Sequence, residues 1–140
     1  MNIGDKIAIY SKGLADYIVM NFPMPSVVIG FNSKETYDTY APLSSAVFVA
    51  NGVKVYEFNK GVNTDDVLNQ ITNKEASAAV YISVEDNILM FNIYNDKGQV
   101  ANFDITYPKS IDEVRIGDYK AGIAAGCISL IWYTHFVKFH

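Results

Sequence analysis

The sequence has little of what several functional classes require. A single cysteine, Cys127, stands among 140 residues, which excludes an internal disulfide and a cysteine-rich metal site. The net charge of −4 and the lack of any Lys/Arg cluster argue against nucleic acid as the partner. Asp5 and Lys6 interrupt the first apolar residues, so the start of the chain does not read as a signal peptide. These absences predict a cytoplasmic protein.

Histidine is equally scarce. No third histidine accompanies His135 and His140, and Cys127 lies eight residues before His135 without completing a metal-ligand spacing. No basic neighbour surrounds Cys127 that would make its thiol a nucleophile. We therefore expect core packing for His135, a loose chain end for His140 and an unreactive thiol for Cys127.

What the chain does have is apolar content. Half of its residues are hydrophobic, including ten tyrosines and eight phenylalanines, which suits a single domain with a well-filled core over residues 1–140. No internal repeat or linker divides it.

Local signals give an alternation of helices and strands. Apolar residues at helical spacing predict a first helix over residues 3–21, which Pro23 follows. A buried strand is expected at residues 26–30, and a second helix at about 35–50, with Pro42 starting its main body or kinking it. Asn51-Gly52 predicts the end of that helix, followed by a strand over residues 53–58. Thr64 is expected to cap a third helix.

Residues 78–98 are the stretch around which we expect the function to be organised. Two short apolar runs, residues 80–83 and 88–94, suit buried strands. The acidic segment Glu85-Asp86-Asn87 separates them, and loops at strand ends are where α/β proteins place their chemistry. A further strand is expected over residues 100–105. The order of elements predicts a three-layer α/β/α domain with a mixed, mostly parallel sheet.

The end of the sequence is uncharged from residue 121 to residue 137, with Gly122 and Gly126 at small-xxx-small spacing. We interpret residues 118–138 as an apolar helix buried against the sheet or in a homodimer. Seventeen residues is also near the lower limit for a membrane span. The alternative is thus an accessory protein tethered to a membrane through residues 121–137.

Several segments, in order, resemble the first domain of the α-D-phosphohexomutases, the phosphoglucomutase and phosphomannomutase family. The resemblance runs from about Ser11 to Gln99. It rests on the Gly13-to-Ile18 helix, the strand that ends Gly30-Phe31-Asn32-Ser33-Lys34, the Asn51-Gly52 turn and the spacing from Thr64 to the 83–88 loop. The segments Phe91-Asn92-Ile93-Tyr94 and Gly98-Gln99 are similar to the strand and turn that follow the family's loop.

The resemblance implies a site whose catalytic residues are changed. The family transfers a phosphoryl group from a phosphoserine in a Thr-Ala-Ser-His-Asn-Pro loop. Glu85 aligns with that serine, Asp86 with the histidine and Ile88 with the proline, whereas Asn87 is retained. Lys34 aligns with an arginine, so the bidentate grip on phosphate is lost. The family's metal loop and its later sugar-binding and phosphate-binding loops have no counterpart here.

These observations predict a non-catalytic phosphohexomutase-like domain that acts by binding, with itself or with another protein as the partner. A remnant that binds a phosphosugar, or a subunit of a mutase completed by other chains, is the alternative. Ser33 and Lys34 are candidate ligand-binding residues, because a helix start favours anions. Asn87 is a third candidate, because the resemblance implies that it is retained from the family's loop. No cofactor is expected, although Glu85 and Asp86 are a minimal candidate site for Mg²⁺.

Overall fold

The computed structural model describes residues 1–132 and contains one five-stranded sheet. Its strands are β1 (Ser26–Phe31), β2 (Lys54–Gly61), β3 (Ala78–Glu85), β4 (Ile88–Asn95) and β5 (Ile128–Ile131). They lie in the order β4-β3-β1-β2-β5. Only β4 runs antiparallel to its neighbour; the β1–β2, β1–β3 and β2–β5 pairs are parallel. The mixed, mostly parallel sheet predicted from the sequence is confirmed.

Helices cover both faces of this sheet. They are α1 (Ile3–Asn21), α2 (Lys34–Ala50), α3 (Thr64–Lys74) and α4 (Tyr119–Ala124), with a 3₁₀ turn at Ile111–Glu113. Residues of α1 and α2 share a core with Val27, Ile29 and Phe31, whereas α3 packs with Val28. Every residue of β1 is buried, because alternate side chains of this central strand face the two helical layers. The three-layer α/β/α fold is confirmed.

The boundaries follow from local chemistry. The side chain of Asn2 accepts a hydrogen bond from the backbone N–H of Asp5 at the start of α1, and Ser33 does the same for Thr36 at the start of α2. Helix α2 continues through Pro42. The cap of α3 is Asn63 rather than Thr64, since Asn63 and Asp66 form a reciprocal capping box. Thr64 is instead the first helical residue.

The prediction of a strand over residues 100–105 is wrong. Val100 makes a single bridge to Tyr94, and the chain then leaves the sheet. Phe103 stacks on Tyr17 of α1 with ring centres 4.4 Å apart, and Tyr107 meets the Tyr10 ring edge-on at 5.5 Å. The apolar side chains that suggested a strand thus cover α1.

The prediction of a long apolar helix at residues 118–138 is also wrong for residues 118–132, the part of it that the structure describes. Helix α4 ends at Ala124, Gly126 adopts a left-handed φ of 77°, and Ile128–Ile131 forms β5 beside β2. Gly122 packs internally, because a Cβ there would lie 2.8 Å from Cδ1 of Ile128. No helix within residues 1–132 is long and apolar enough to cross a membrane. The rest of the expected helix lies outside the described residues.

Candidate functional site

The acidic segment singled out in the sequence is a tight hairpin turn. Glu85 ends β3 and pairs with Ile88, the first residue of β4. Only Asp86 and Asn87 lie between them, and both have left-handed φ values of 52° and 60°. Two positive φ angles are what a two-residue type I′ hairpin requires, and Asp and Asn tolerate them better than most residues. The identity of these two residues therefore has a structural cause.

Asn32 connects this hairpin to the end of β1. Its side-chain amide donates to Glu85 Oε1 at 3.4 Å, and its side-chain oxygen accepts from the backbone N–H of Val84 at 3.4 Å. Its own backbone N–H donates to the carbonyl of Ile82 at 3.1 Å. Glu85 is thereby held at the carboxyl edge of the sheet, beside the residues that lead into α2.

The start of α2 forms the other side of a groove at this edge. The groove encloses about 350 Å³, and Ser33, Glu35 and Thr36 line it opposite Asp86 and Asn87. Thr39 and Tyr40 add two further hydroxyl groups. The predicted residues Ser33, Asp86 and Asn87 thus meet in one groove, whereas Glu85 and Lys34 do not line it.

Lys34 is engaged elsewhere. Its ammonium forms an ion pair with Asp38 at 2.5 Å, one turn along α2, and lies 5.5 Å from the centre of the Tyr37 ring. The side-chain oxygen of Ser33 accepts the hydrogen bond from the backbone N–H of Thr36 that caps α2. Apart from Val84, the lining of the groove presents hydroxyls, an amide and two carboxylates, which suit a neutral polyhydroxyl group better than a bare phosphate.

The candidate cation site has only two carboxylates. In the part of the chain that the structure describes, no group of three His, Cys, Asp or Glu side chains lies close enough to hold a metal ion. Glu85 directs one oxygen toward Asn32, and Asp86 faces the groove. Hard divalent cations take six or more oxygen ligands.

A buried carboxylate was missed by the sequence reasoning. The side chain of Glu57 in β2 has no solvent exposure. Its Oε2 accepts from the hydroxyl of Ser45 at 2.5 Å, and its Oε1 accepts from Tyr37 at 3.2 Å and from Tyr119. Burial raises the pKa of Glu57, although these three hydrogen bonds oppose the rise.

The sequence did contain a signal for this residue. Side chains two apart along a strand share a face, so Glu57 stands on the same face as Val53 and Val55, both of which are buried. An acidic residue in phase with buried valines indicates a buried, hydrogen-bonded carboxylate. Burial raises the pKa values of Tyr119 and Tyr37, and the neighbouring Glu57 raises both further.

Comparison with known proteins gives one informative similarity. No protein-family model matches the sequence. The chain is 32% identical over 87 residues to a probable phosphoribomutase of Schizosaccharomyces pombe; the match covers 60% of this chain and 15% of that protein. The chain thus spans less than a fifth of the length of this curated relative. The similarity supports a phosphomutase-like relationship.

Proposed function

We propose that this chain is a non-catalytic, phosphomutase-like module that acts by binding. One observation carries the proposal: Glu85, the residue that the resemblance aligns with the phosphoserine, ends β3 at a two-residue turn. Glu85 has no hydroxyl with which to form the serine phosphate ester that the family exchanges with its substrate, and phosphorylation of a carboxylate gives an acyl phosphate, which is a different intermediate. Neither Asp86 nor Asn87 supplies a hydroxyl in its place.

An assay of phosphoryl transfer tests this proposal. The purified chain is incubated with ribose and glucose 1-phosphates, with and without Mg²⁺, and formation of the 5- and 6-phosphates is followed. We expect no turnover, and none from Glu85→Ser, because a serine alone does not supply the sugar-binding and metal-binding groups that the family uses. Turnover that survives repeated purification and disappears in Glu85→Ala would overturn the proposal.

The second candidate is binding of a phosphosugar without turnover. The groove at the start of α2 favours it, since its hydroxyl and amide lining offers partners for sugar hydroxyls. This candidate requires Lys34, which adjoins the lining residues Ser33 and Glu35 in the sequence, to leave Asp38 and bind the phosphate. A ligand that binds only the folded chain raises its melting temperature. We expect ribose 5-phosphate to do so if this candidate holds, with the shift reduced in Lys34→Gln.

Lys109→Gln is the matched control, because Lys109 is exposed and does not line the groove. An equal loss in both lysine variants would indicate a general charge effect and exclude the groove. Light scattering over a range of concentrations tests the protein-partner form of the proposal: a stable homodimer supports self-association, and a monomer at every concentration excludes it.

A further inference from the structure

A second cavity lies at the opposite edge of the sheet, where the parallel strands begin. It encloses about 680 Å³, within the range of small-molecule sites. Met24, Pro25, Val49 and Val53 give it apolar walls. Cys127 lies at its border, in the turn that precedes β5, and is exposed. This cavity shares no residue with the groove at the carboxyl edge.

Two lysines converge on one aromatic ring in this cavity. The ammonium of Lys54 lies 5.2 Å from the centre of the Tyr56 ring, and that of Lys74 lies 5.5 Å from the same centre. Lys54 donates to the carbonyl of Gly126 at 2.5 Å and to Ser129 Oγ at 3.2 Å. An ammonium has three N–H donors, so these two bonds fix Lys54 and leave a donor for a ligand.

Neither ammonium is neutralised by a described carboxylate. The two ion pairs found within residues 1–132 involve Lys12 and Lys34, not the cavity lysines. Glu75 is the single acidic residue in the lining, so two lysines and one glutamate leave one excess positive charge. This excess stands out on a chain whose net charge is −4. The lining therefore combines apolar walls with a local positive potential.

We propose that this cavity binds an amphiphilic anion: a small molecule with an apolar, preferably aromatic, body and one compact anionic group. The apolar body lies against Met24, Pro25 and Val53, where it is removed from water. The anionic group lies between Lys54 and Lys74, each of which donates a charge-assisted hydrogen bond. Charge complementarity selects this ligand class over neutral apolar molecules.

A matched pair of fluorescent probes tests the proposal. The anionic probe is 8-anilinonaphthalene-1-sulfonate, and its neutral counterpart is N-phenyl-1-naphthylamine, which has the same aromatic body without the sulfonate. We expect the sulfonate to bind one equivalent of the intact chain and to raise its melting temperature, as a ligand of the folded state must. The neutral probe should bind at least about threefold more weakly, since it makes no ionic contact.

Substitution of the lysines separates the contribution of charge to probe affinity from that of the apolar walls. Lys74→Gln should weaken the sulfonate about threefold, and the double change with Lys54→Gln about tenfold, with neutral-probe affinity unchanged. Lys74 is exposed on the last turn of α3, so its variant keeps the test valid if the loss of Lys54 disturbs folding. Lys97→Gln, which is exposed and does not line the cavity, is the control and should bind as the parent does.

Cys127 reports where the probe binds. Saturating sulfonate should slow alkylation of this thiol several-fold, and the neutral probe should slow it less at equal concentration. Binding that does not protect Cys127, or that Lys74→Gln and the double variant leave unchanged, would overturn the proposal. So would protection of Cys127 that grows with protein concentration without probe, because the cavity would then be an interface between two copies of the chain.

Discussion

The carboxylate of Glu57 accepts a hydrogen bond from the hydroxyl of Tyr119, although 62 residues separate them in the sequence. Glu57 belongs to β2 and Tyr119 begins α4, so this bond joins the α4–β5 segment to the sheet. Tyr37 and Ser45 of α2 bond to the same carboxylate. One side chain thus connects a strand and two helices. Removing it leaves the buried hydroxyl of Ser45 without this partner, and leaves the hydroxyls of Tyr37 and Tyr119 with only each other as described partners.

The first prediction concerns the dependence of stability on pH. Burial raises the pKa of Glu57 above its usual value of 4.5, so the folded protein holds this proton more tightly than the unfolded chain does. The free energy of unfolding should therefore fall as pH rises from about 4.5 through the raised pKa, and level off above it. Glu57→Gln has no proton to lose, and its advantage over the parent should grow across that window. Urea unfolding at pH 4.5 to 8 measures both.

Two further variants control this experiment. Glu57→Ala should lose about 3 kcal/mol, because it leaves a cavity in the core and removes the acceptor of the hydroxyls of Ser45, Tyr37 and Tyr119. Glu35→Gln, which is exposed in the first turn of α2, should change the free energy of unfolding by at most about 0.5 kcal/mol. If the free energies of unfolding of the parent and of Glu57→Gln changed with pH in parallel, the pKa of Glu57 would not differ between the folded and unfolded states.

The second prediction concerns the turn after α2. Gly52 has a left-handed φ of 90°, and a Cβ there would meet only Cγ2 of Val19 at 3.8 Å. The cost of Gly52→Ala is therefore conformational rather than steric, and we expect a loss of about 1 kcal/mol. Gly4→Ala is the matched change inside α1, where the nearest contacts are ordinary at 3.5 and 3.6 Å.

Thermal unfolding of Gly52→Ala and Gly4→Ala tests whether the left-handed conformation is the reason for glycine at residue 52. Gly4→Ala should be neutral or stabilise by about 0.5 kcal/mol, because alanine loses less backbone freedom in a helix. If both variants lost the same stability, the left-handed cap would not be the reason that glycine stands at residue 52.

The third prediction concerns the hairpin turn at residues 86 and 87. Asn87→Gly should stabilise the chain by about 0.5 kcal/mol, because glycine adopts a positive φ without strain. Asn87→Val should destabilise it by about 1–2 kcal/mol, since a β-branched residue is strained in that conformation. Chemical denaturation measures both. The opposite order of stability would mean that Asn87 is present for a reason other than the turn.

Elements with strong local signals could be predicted from the sequence. Helix α1 matches its expected bounds, because its apolar spacing is regular and Pro23 follows it. The end of α2 and the start of β2 were predicted because Asn51-Gly52 is a helix-stop signal that does not depend on the rest of the fold. The strand expected over residues 53–58 is present as β2, and it pairs with β1.

Features that depend on distant contacts could not be predicted. Residues 128–131 are apolar enough for a buried helix or a strand, and the open edge of β2 decides between them. The hydroxyls of Tyr37 and Tyr119 that make a buried Glu57 tolerable come from remote parts of the chain. At the candidate site, the sequence indicated the residues but not that Lys34 pairs with Asp38 and leaves the groove without a cation.

The last prediction tests the fold of the segment after α4. Ile128 in β5 is 2% exposed and packs so close to Gly122 that a Cβ there would lie 2.8 Å from its Cδ1. Ile123 in α4 is 37% exposed. Ile128→Ala should therefore lose about 3 kcal/mol, from apolar burial and the cavity left behind. Ile123→Ala should lose less than about 1 kcal/mol, because much of its side chain already contacts water. Equilibrium unfolding in urea gives both values.

The contrast between these two isoleucines is specific to the strand. Ile128 pairs with Val55 across the β2–β5 ladder, so its side chain belongs to the core that α1 and α2 cover. A hydrogen-exchange measurement adds a backbone readout: the amide of Val55, which donates to the carbonyl of Cys127 at 2.9 Å, should exchange faster in Ile128→Ala than in Ile123→Ala. Equal losses of stability together with equal exchange at Val55 would mean that residues 128–131 do not extend the sheet.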